Sequence, residues 1–422
     1  MAPIDILRDW KNSNPNIQNI MIFVSDALRW DCLPQSVAQQ GITFKTIASS
    51  LFTACSFPSM ATGLYPPNHG VYSWRVGKLS SNLTSLMNLD GYNSSLWNEN
   101  TWIRYDPPES TPIHQVLRQK KRIPLDEIEP PFIYLEDEKG GHAPFGWTSG
   151  DKEYEEWEAV KFFRDYGGKD KTELVERYRK GVVRSAEMFE KRLDTLRNRR
   201  LIDKTLVIFT SDHGEALGEH GGHVGHGRIA CPEVVYVPTV LIHPTLPSGI
   251  SFANKGVMRH VDLYPTILDI LHIELPYPVD GISFFTASKI PQIGCNYLEV
   301  RLSKKWLKTA VGYRHKEISV WDKDGGYIFR DSNFFTRLLH SIRTLSIGTT
   351  SNYLRGYLQK KGISKAFKAY SEVLKYYISP YIKHGSPSFD KEDAIIIAKR
   401  LKRGETERIK RSVQQLRREN KI

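Results

Sequence analysis

Cysteine is scarce in this chain, and its few thiols are scattered. Cys32, Cys55, Cys231 and Cys295 are the four cysteines, and no two of them form a C-x-x-C pair. That spacing argues against a zinc knuckle and against a small disulfide-stapled domain. A reducing compartment, the cytoplasm, is the expected setting. Long apolar runs are also missing, since no stretch approaches the roughly 18 residues of a membrane span. The start MAPIDILRDWKNSNPN lacks the cationic stretch followed by an apolar one that marks a secretory leader. No internal repeat and no Gly/Ser- or Pro-rich linker interrupts the chain.

What remains is a globular composition, 40% hydrophobic, 11% aromatic and 25% charged. At 422 residues the chain is long enough to bury a large core, as one domain with an appendage or as two. Lys+Arg outnumber Asp+Glu by 59 to 47, a formal net charge of +12. This excess suits anionic partners such as phosphorylated or sulfated substrates, nucleic acid or an acidic membrane face, without choosing among them.

NIMIFVSD (19–26) is an apolar run of strand length ending on a carboxylate, Asp26. Between 171 and 200, Leu174, Val175, Tyr178, Val182, Met188, Phe189, Leu193 and Leu196 recur with a mainly helical period, and Thr205–Thr210 then form a second apolar strand ending at Asp212. FIYLED (132–137) and VVYVPTVLIHP (234–244) read as further strands. VDLYPTILDIL (261–271) reads as a helix with Pro265 tolerated near its first turn. Helix followed by strand, each strand ending on a polar loop, predicts an α/β fold with a mostly parallel central sheet and helices on its faces. Ligands bind beyond the carboxyl ends of such strands, where Asp26 and Asp212 both fall. After about residue 300, EISVWDKDGGYIFRDS predicts a hairpin with a Gly-Gly turn. The rest is helical and basic, so the expected division is 1–300 and a C-terminal region 301–422. The tail KRLKRGETERIKRSVQQLRRENKI mixes Glu into its basic run at helical spacing, which fits a solvated or packed surface helix better than a nucleic-acid arm.

SDHGEALGEHGGHVGHGR (211–228) carries the densest chemistry. Asp212 and His213 offer an oxygen and an imidazole to a divalent cation, whereas a solvated loop with Asp212 as a helix cap leaves His220, His223 and His226 without explanation. TACSFPSMATGLYPPNHGVY (53–72) is rich in hydroxyls, and Thr53 is either a helix cap or a nucleophile at a helix N-terminus. In EDEKGGHAPF (136–145), His142 follows a strand end and on its own is more readily structural than functional. Arg29 and Asp31 are either site-orienting residues or a surface ion pair with a cap. His69 reads as a turn residue.

FVSDALRWD, TGLYPPNHGV (62–71), EDEKGGHAPF, TLVIFTSDHGE (205–215) and VDLYPTILDIL followed by DGIS (261–283) occur in an order that resembles the sulfatase-like family of the alkaline phosphatase superfamily, across about residues 18–285. The resemblance implies that family's α/β fold and an ester hydrolase. It points to Thr53, ten residues before Gly63, as the nucleophile. Members that carry formylglycine have a Cys there within C-x-P-S-R, whereas this chain has Thr53, and Phe57 stands at the Arg position. Cys55 is out of register and reads as a bystander. An unmodified Thr resembles the phospho-transfer branches, so phosphoesters are favoured over sulfate esters. The implied metal ligands are Asp26, Thr53, Asp212 and His213, a set suited to one Mn²⁺, Mg²⁺ or Ca²⁺, with Zn²⁺ as a further candidate. A two-metal site would need His220 or His226 as well. His142 and His226 are the expected partners of the substrate oxygens or the leaving alcohol. The implied partner is an anionic phosphate or sulfate ester, of a glycan or a lipid; no nucleic acid is expected, and no oligomeric state is assigned. Two alternatives stay open: a transferase passing a phosphoglycerol- or phosphoethanolamine-type group to a glycan or lipid, and a non-catalytic anion-binding protein on the same scaffold.

Overall fold

A computed structural model describes residues 3–98, 112–145, 154, 158–302 and 313–418. Its core is a sheet built from β1 (Asn19–Ser25), β2 (Ile42–Ile47), β3 (Asn93–Trp97), β4 (Phe132–Glu138) and β5 (Thr205–Thr210). A small β-pair, β6 (Ala216–Gly218) with β7 (His223–Gly225), precedes the remaining core strands β8 (Tyr236–Ile242), β9 (Ile250–Ser251) and β10 (Met258–Arg259). The spatial order is β10-β2-β8-β5-β1-β4-β3, with β9 beside β2.

β1, β4 and β5 are buried at every position, as strands covered on both faces must be. They run parallel, as do β3 with β4 and β10 with β2. The sheet is nevertheless mixed, because β8 pairs antiparallel with both β5 and β2. Pro238 within β8 lies one residue past the last β5 pairing at Thr239, so its missing N–H costs β5 no ladder bond.

One face is covered by the helix Lys171–Asn198, started by Asp170, whose carboxylate accepts from Thr172 N at 3.0 Å. Its stripe Leu174, Tyr178, Val182, Phe189, Leu193 and Leu196 is buried, and Phe189 packs on Phe23 and Phe209 at 5.3 and 5.0 Å between ring centroids. The expected Val175 and Met188 lie only at the margin of that core.

The helices Thr53–Thr62 and His260–Ile270 cover the other face. Because the second of these starts at His260, Pro265 falls in its second turn, not its first. A proline there frees the carbonyl of Val261. Gly281 is packed against that carbonyl: a Cβ would sit 1.8 Å from the oxygen, so the position requires glycine.

A second sheet, antiparallel in the order β11-β12-β13-β14, joins β11 (Gly294–Leu302), β12 (Tyr313–Trp321), β13 (Gly325–Arg330) and β14 (Tyr381–Gly385). The predicted hairpin is β12–β13, but its turn is Asp322–Asp324, where the Asp322 carboxylate accepts from the backbone N of Asp324 and Gly325 at 2.8 and 2.9 Å. Gly325 and Gly326 open the returning strand instead, because a Cβ on Gly326 would press on Trp321 at 2.5 Å. The basic tail forms one helix, Lys391–Arg418, whose Ala394, Ala398 and Leu401 pack against Ile318, Val320 and Tyr327. No helix among the described residues is long and apolar enough to cross a membrane.

Candidate metal-dependent active site

β1, β2, β4 and β5 all end at one edge of the core sheet, and the segments that follow supply the site. Asp26 is the first residue past β1, and its backbone N still bonds Glu138 O of β4 at 2.7 Å. The chain then reverses through Ala27, which sits at φ 62°. Tyr178 stabilises the reversal: its hydroxyl donates to Ala27 O at 2.9 Å and accepts from Arg29 N at 2.8 Å. Gly141 lies against the same turn, where a Cβ would stand 2.7 Å from Asp26 O, so only glycine lets the β4 loop close over Asp26.

Asp212 and His213 follow β5 and are fully buried with Asp26. One oxygen of Asp212 is occupied, Oδ1 accepting from Ala27 N at 3.2 Å and His213 N at 3.0 Å. His213 Nδ1 must donate to Gly214 O at 2.9 Å, since a carbonyl only accepts, and this leaves Nε2 with its lone pair inward. That Nε2 is 3.6 Å from Asp26 Oδ1 and 3.3 Å from Asp212 Oδ2. All three atoms are buried without a hydrogen-bond partner, and the three residues place ligand atoms within 4.8 Å of one another. Stranding three such atoms costs about 1–3 kcal/mol each, and a shared cation removes the cost. Thr53 is the first residue of its helix, with Phe52 at the cap, so it does not serve as the cap. Its side chain lies beside the Asp212 carboxylate instead. The predicted four ligands therefore converge, and three oxygens with one nitrogen fit a hard divalent cation.

The electrostatics agree. Burial, reinforced by the charges of Asp26 and Asp137, drives the Asp212 carboxyl well above its usual range. Burial also works to raise Asp26, yet the Lys139 ammonium, 2.5 Å from Oδ2, holds it well below the carboxylate range, with His142, His213 and His226 adding to the effect. Burial thus favours the protonated form of Asp212 while Lys139 favours the ionised form of Asp26, the kind of opposed pair that marks a candidate functional site. Burial, then His226, keeps His213 neutral.

His142 and His226 sit on the half-buried side of this cluster. His226 stacks on His213 with 4.0 Å between centroids, and His142 meets His226 edge-on at 4.9 Å. His226 Nδ1 bonds Glu215 Oε2 at 2.7 Å. Burial lowers the His226 pKa, but the Glu215 carboxylate more than reverses this, so the ring ends above its ordinary value. Burial takes His142 down to about 3. Its Nδ1 donates to Ala143 O at 2.6 Å, which leaves Nε2 as an acceptor.

Lys139, Asp137 and Glu215 had no place in the sequence reading, although all border the site. The strand period carried the signal for two of them, since Asp137 and Lys139 are two apart and so share a face at the end of β4. Glu215 follows the Asp-His pair directly. Arg29 forks Asp31 at 2.9 and 2.8 Å and reaches Glu219 at 3.0 Å, so it ties the β1 loop to the loop after β5. His69 is buried in a short turn, its Nε2 3.1 Å from Ser59 Oγ. His220 faces Glu233 at 2.9 Å and does not join Asp26 and Asp212 in a two-metal shell. Cys55 is fully buried, and burial pushes its thiol far up, as fits a bystander.

The family model described as Sulfatase matches residues 31–273. The low-salt glycan biosynthesis sulfotransferase Agl7 of Haloferax volcanii is 35% identical over 318 residues, which cover 74% of this chain and 74% of that protein. Among solved structures, a 2-O GAG sulfatase superposes with a TM-score of 0.58 at 15% identity, covering 75% of this chain and 83% of the other. The phosphonate monoester hydrolase of Agrobacterium radiobacter gives 0.53 at 15% identity, covering 83% and 96%. These two likenesses concern the fold.

Proposed function

The chain belongs to the sulfatase family, whose members cleave sulfate or phosphate esters, and from that premise we propose an ester hydrolase that uses unmodified Thr53 as its nucleophile and prefers phosphoesters. The observation that carries this reading is the cluster of three stranded ligand atoms of Asp26, Asp212 and His213, with Thr53 beside Asp212. Phe57, at the position of the formylglycine-associated arginine, supports the same branch.

Asp26, Thr53, Asp212 and His213 would hold a divalent cation, which would supply Lewis acidity at the Thr53 hydroxyl and at the ester. Asp212, beside Thr53, is placed to take the hydroxyl proton. Thr53 Oγ forms a bond to phosphorus or sulfur as the bond to the leaving oxygen breaks. His226, kept protonated by Glu215, gives the leaving oxygen its proton. His142 stays neutral and orients water through Nε2 for release of the threonine ester. Lys139 holds Asp26 ionised throughout. The four free cysteines support placement in a reducing compartment.

A second reading, transfer of the bound group to an acceptor hydroxyl, is favoured by one observation, the relative named a sulfotransferase. The test is turnover of aryl phosphodiesters, phosphomonoesters and sulfates by metal-stripped protein restored with Mn²⁺, Mg²⁺, Ca²⁺ or Zn²⁺, beside Thr53→Ala. Metal-dependent phosphoester cleavage lost in the variant supports the proposal. Cleavage that survives removes Thr53 as nucleophile, and turnover only with an added polyol acceptor selects the transferase.

A further inference from the structure

The loop that begins with Asp212 and His213 carries a second set of ligand-type side chains at its far end. His220, Cys231 and Glu233 bring one donor atom each within 4.8 Å of one another. His220 Nε2 lies 2.9 Å from Glu233 Oε2, and the fully buried Cys231 thiol bonds the same carboxylate. A second imidazole approaches His220 from the other sheet, outside that group of three donors. His384 of β14 sets its ring against His220 with 5.0 Å between centroids at 82°, and its Nε2 is buried with no hydrogen-bond partner. Trp321 stacks on the outer side of that imidazole at 5.8 Å and fixes its plane.

The backbone is shaped around the same point. His220 stands at φ 52°, ψ 51°, a left-handed conformation that costs a non-glycine residue about 1–2 kcal/mol, so something must hold it there. Gly214 is pressed against the start of the helix Pro232–Val235, its N bonding Val234 O at 2.8 Å. This helix holds Glu233, and Cys231 immediately precedes it. One loop and one helix start thus bring a thiol, an imidazole and a carboxylate together, and a strand of the C-terminal sheet sets a second imidazole against the first.

We propose that His220, Cys231 and Glu233 form a site for a thiophilic divalent cation, Zn²⁺ by its donor chemistry, and that His384 turns in from beside His220 as the fourth, tetrahedral ligand, clamping the loop after β5 to the C-terminal sheet. Sulfur, nitrogen and carboxylate donors in fourfold array suit Zn²⁺ and its substitute Co²⁺, and disfavour Mg²⁺ and Ca²⁺. On binding, the Cys231 thiol gives its proton to bulk water and the thiolate becomes a ligand, while His220 and Glu233 exchange their mutual hydrogen bond for bonds to the ion. His384 gains the partner its Nε2 lacks. The site stands whether or not the ester chemistry proposed above is correct.

The test is a Co²⁺ titration of the chelator-stripped full chain, followed by its thiolate-to-Co²⁺ charge-transfer absorption and tetrahedral visible bands, with Zn²⁺ added last. Wild type should develop the thiolate band at stoichiometric Co²⁺ and lose it to Zn²⁺. Cys231→Ser should abolish the band, His384→Ala should weaken Co²⁺ binding at least about tenfold, and Asp212→Asn should leave the band in place. A wild-type chain that shows no thiolate band overturns the proposal by itself, so a variant that fails to fold does not protect it. A band that survives Cys231→Ser, disappears in Asp212→Asn, or is indifferent to His384→Ala overturns it equally.

Discussion

The two ends of one loop, Asp212–His213 and His220–Glu233, hold donors of different hardness. The first end joins Asp26 and Thr53 at the edge of the core sheet, with three oxygens and one nitrogen, and half-buried imidazoles stand on one side. The second end gathers sulfur, one nitrogen and a carboxylate, with His384 of β14 set against His220 and Trp321 stacked on His384. The chemistry follows the packing. A hydroxyl beside a hard cation suits ester cleavage, where charge develops on oxygen. A buried thiol beside an imidazole and a carboxylate suits a fixed cross-link.

The largest expected break between the two ends comes from Thr53→Ala, which should lower turnover on the order of 10⁴-fold or more while leaving Co²⁺–thiolate absorption intact. Steady-state kinetics and the absorption spectrum, measured on one preparation, decide it. Equal loss of both would mean that the ends do not act separately. A smaller effect is expected from Glu215→Gln, which removes the carboxylate that keeps His226 protonated. Turnover should fall about 10²-fold, with less loss on substrates whose leaving group needs no proton, such as nitrophenyl esters. An equal loss on good and poor leaving groups would remove His226 as the acid.

Tyr178→Phe tests the support beneath the hard-donor end. It strands Ala27 O and Arg29 N in a buried turn, so unfolding in urea should be easier by about 1–3 kcal/mol. An unchanged midpoint would show that the turn at Ala27 holds without the hydroxyl.

A pH-dependent effect sets the C-terminal sheet against the core. His315 of β12 stacks on His340 at 4.3 Å, and burial, with Arg330 and Arg337 nearby, pushes His315 down to about 3. The folded ring stays neutral while the unfolded one takes up a proton below about pH 6.5. The stability it contributes is therefore present above that pH and drains as pH falls toward 3, by about 1.4 kcal/mol per pH unit. His315→Gln should flatten the dependence of the urea midpoint between pH 6.5 and 4. A slope identical to wild type would assign it to other groups.

Much of the hard-donor end was legible in the sequence. β1 and β5 are continuous apolar runs, and Asp26 and Asp212 follow their ends, where the structure brings the two carboxylates together. The helix Lys171–Asn198 announced itself by its stripe. Glu215 was harder to see, because its pairing with His226 joins two positions of a loop that has no period. The glycines of β13 were assigned to a turn because Gly-Gly favours turns locally, whereas the packing of Trp321 is what requires Gly326.

The sequence by itself determined the elements and the nucleophile candidate, since local period, strand ends and the ordered blocks from Asp26 to Ser283 are written along the chain. Tertiary structure alone decided the antiparallel placement of β8, the tie between His226 and Glu215, and the meeting of His220 with Cys231 and with His384. Strand direction depends on which neighbour buries an apolar face, and a ligand shell depends on distance in space. A residue's type and spacing specify neither until the core has closed around them.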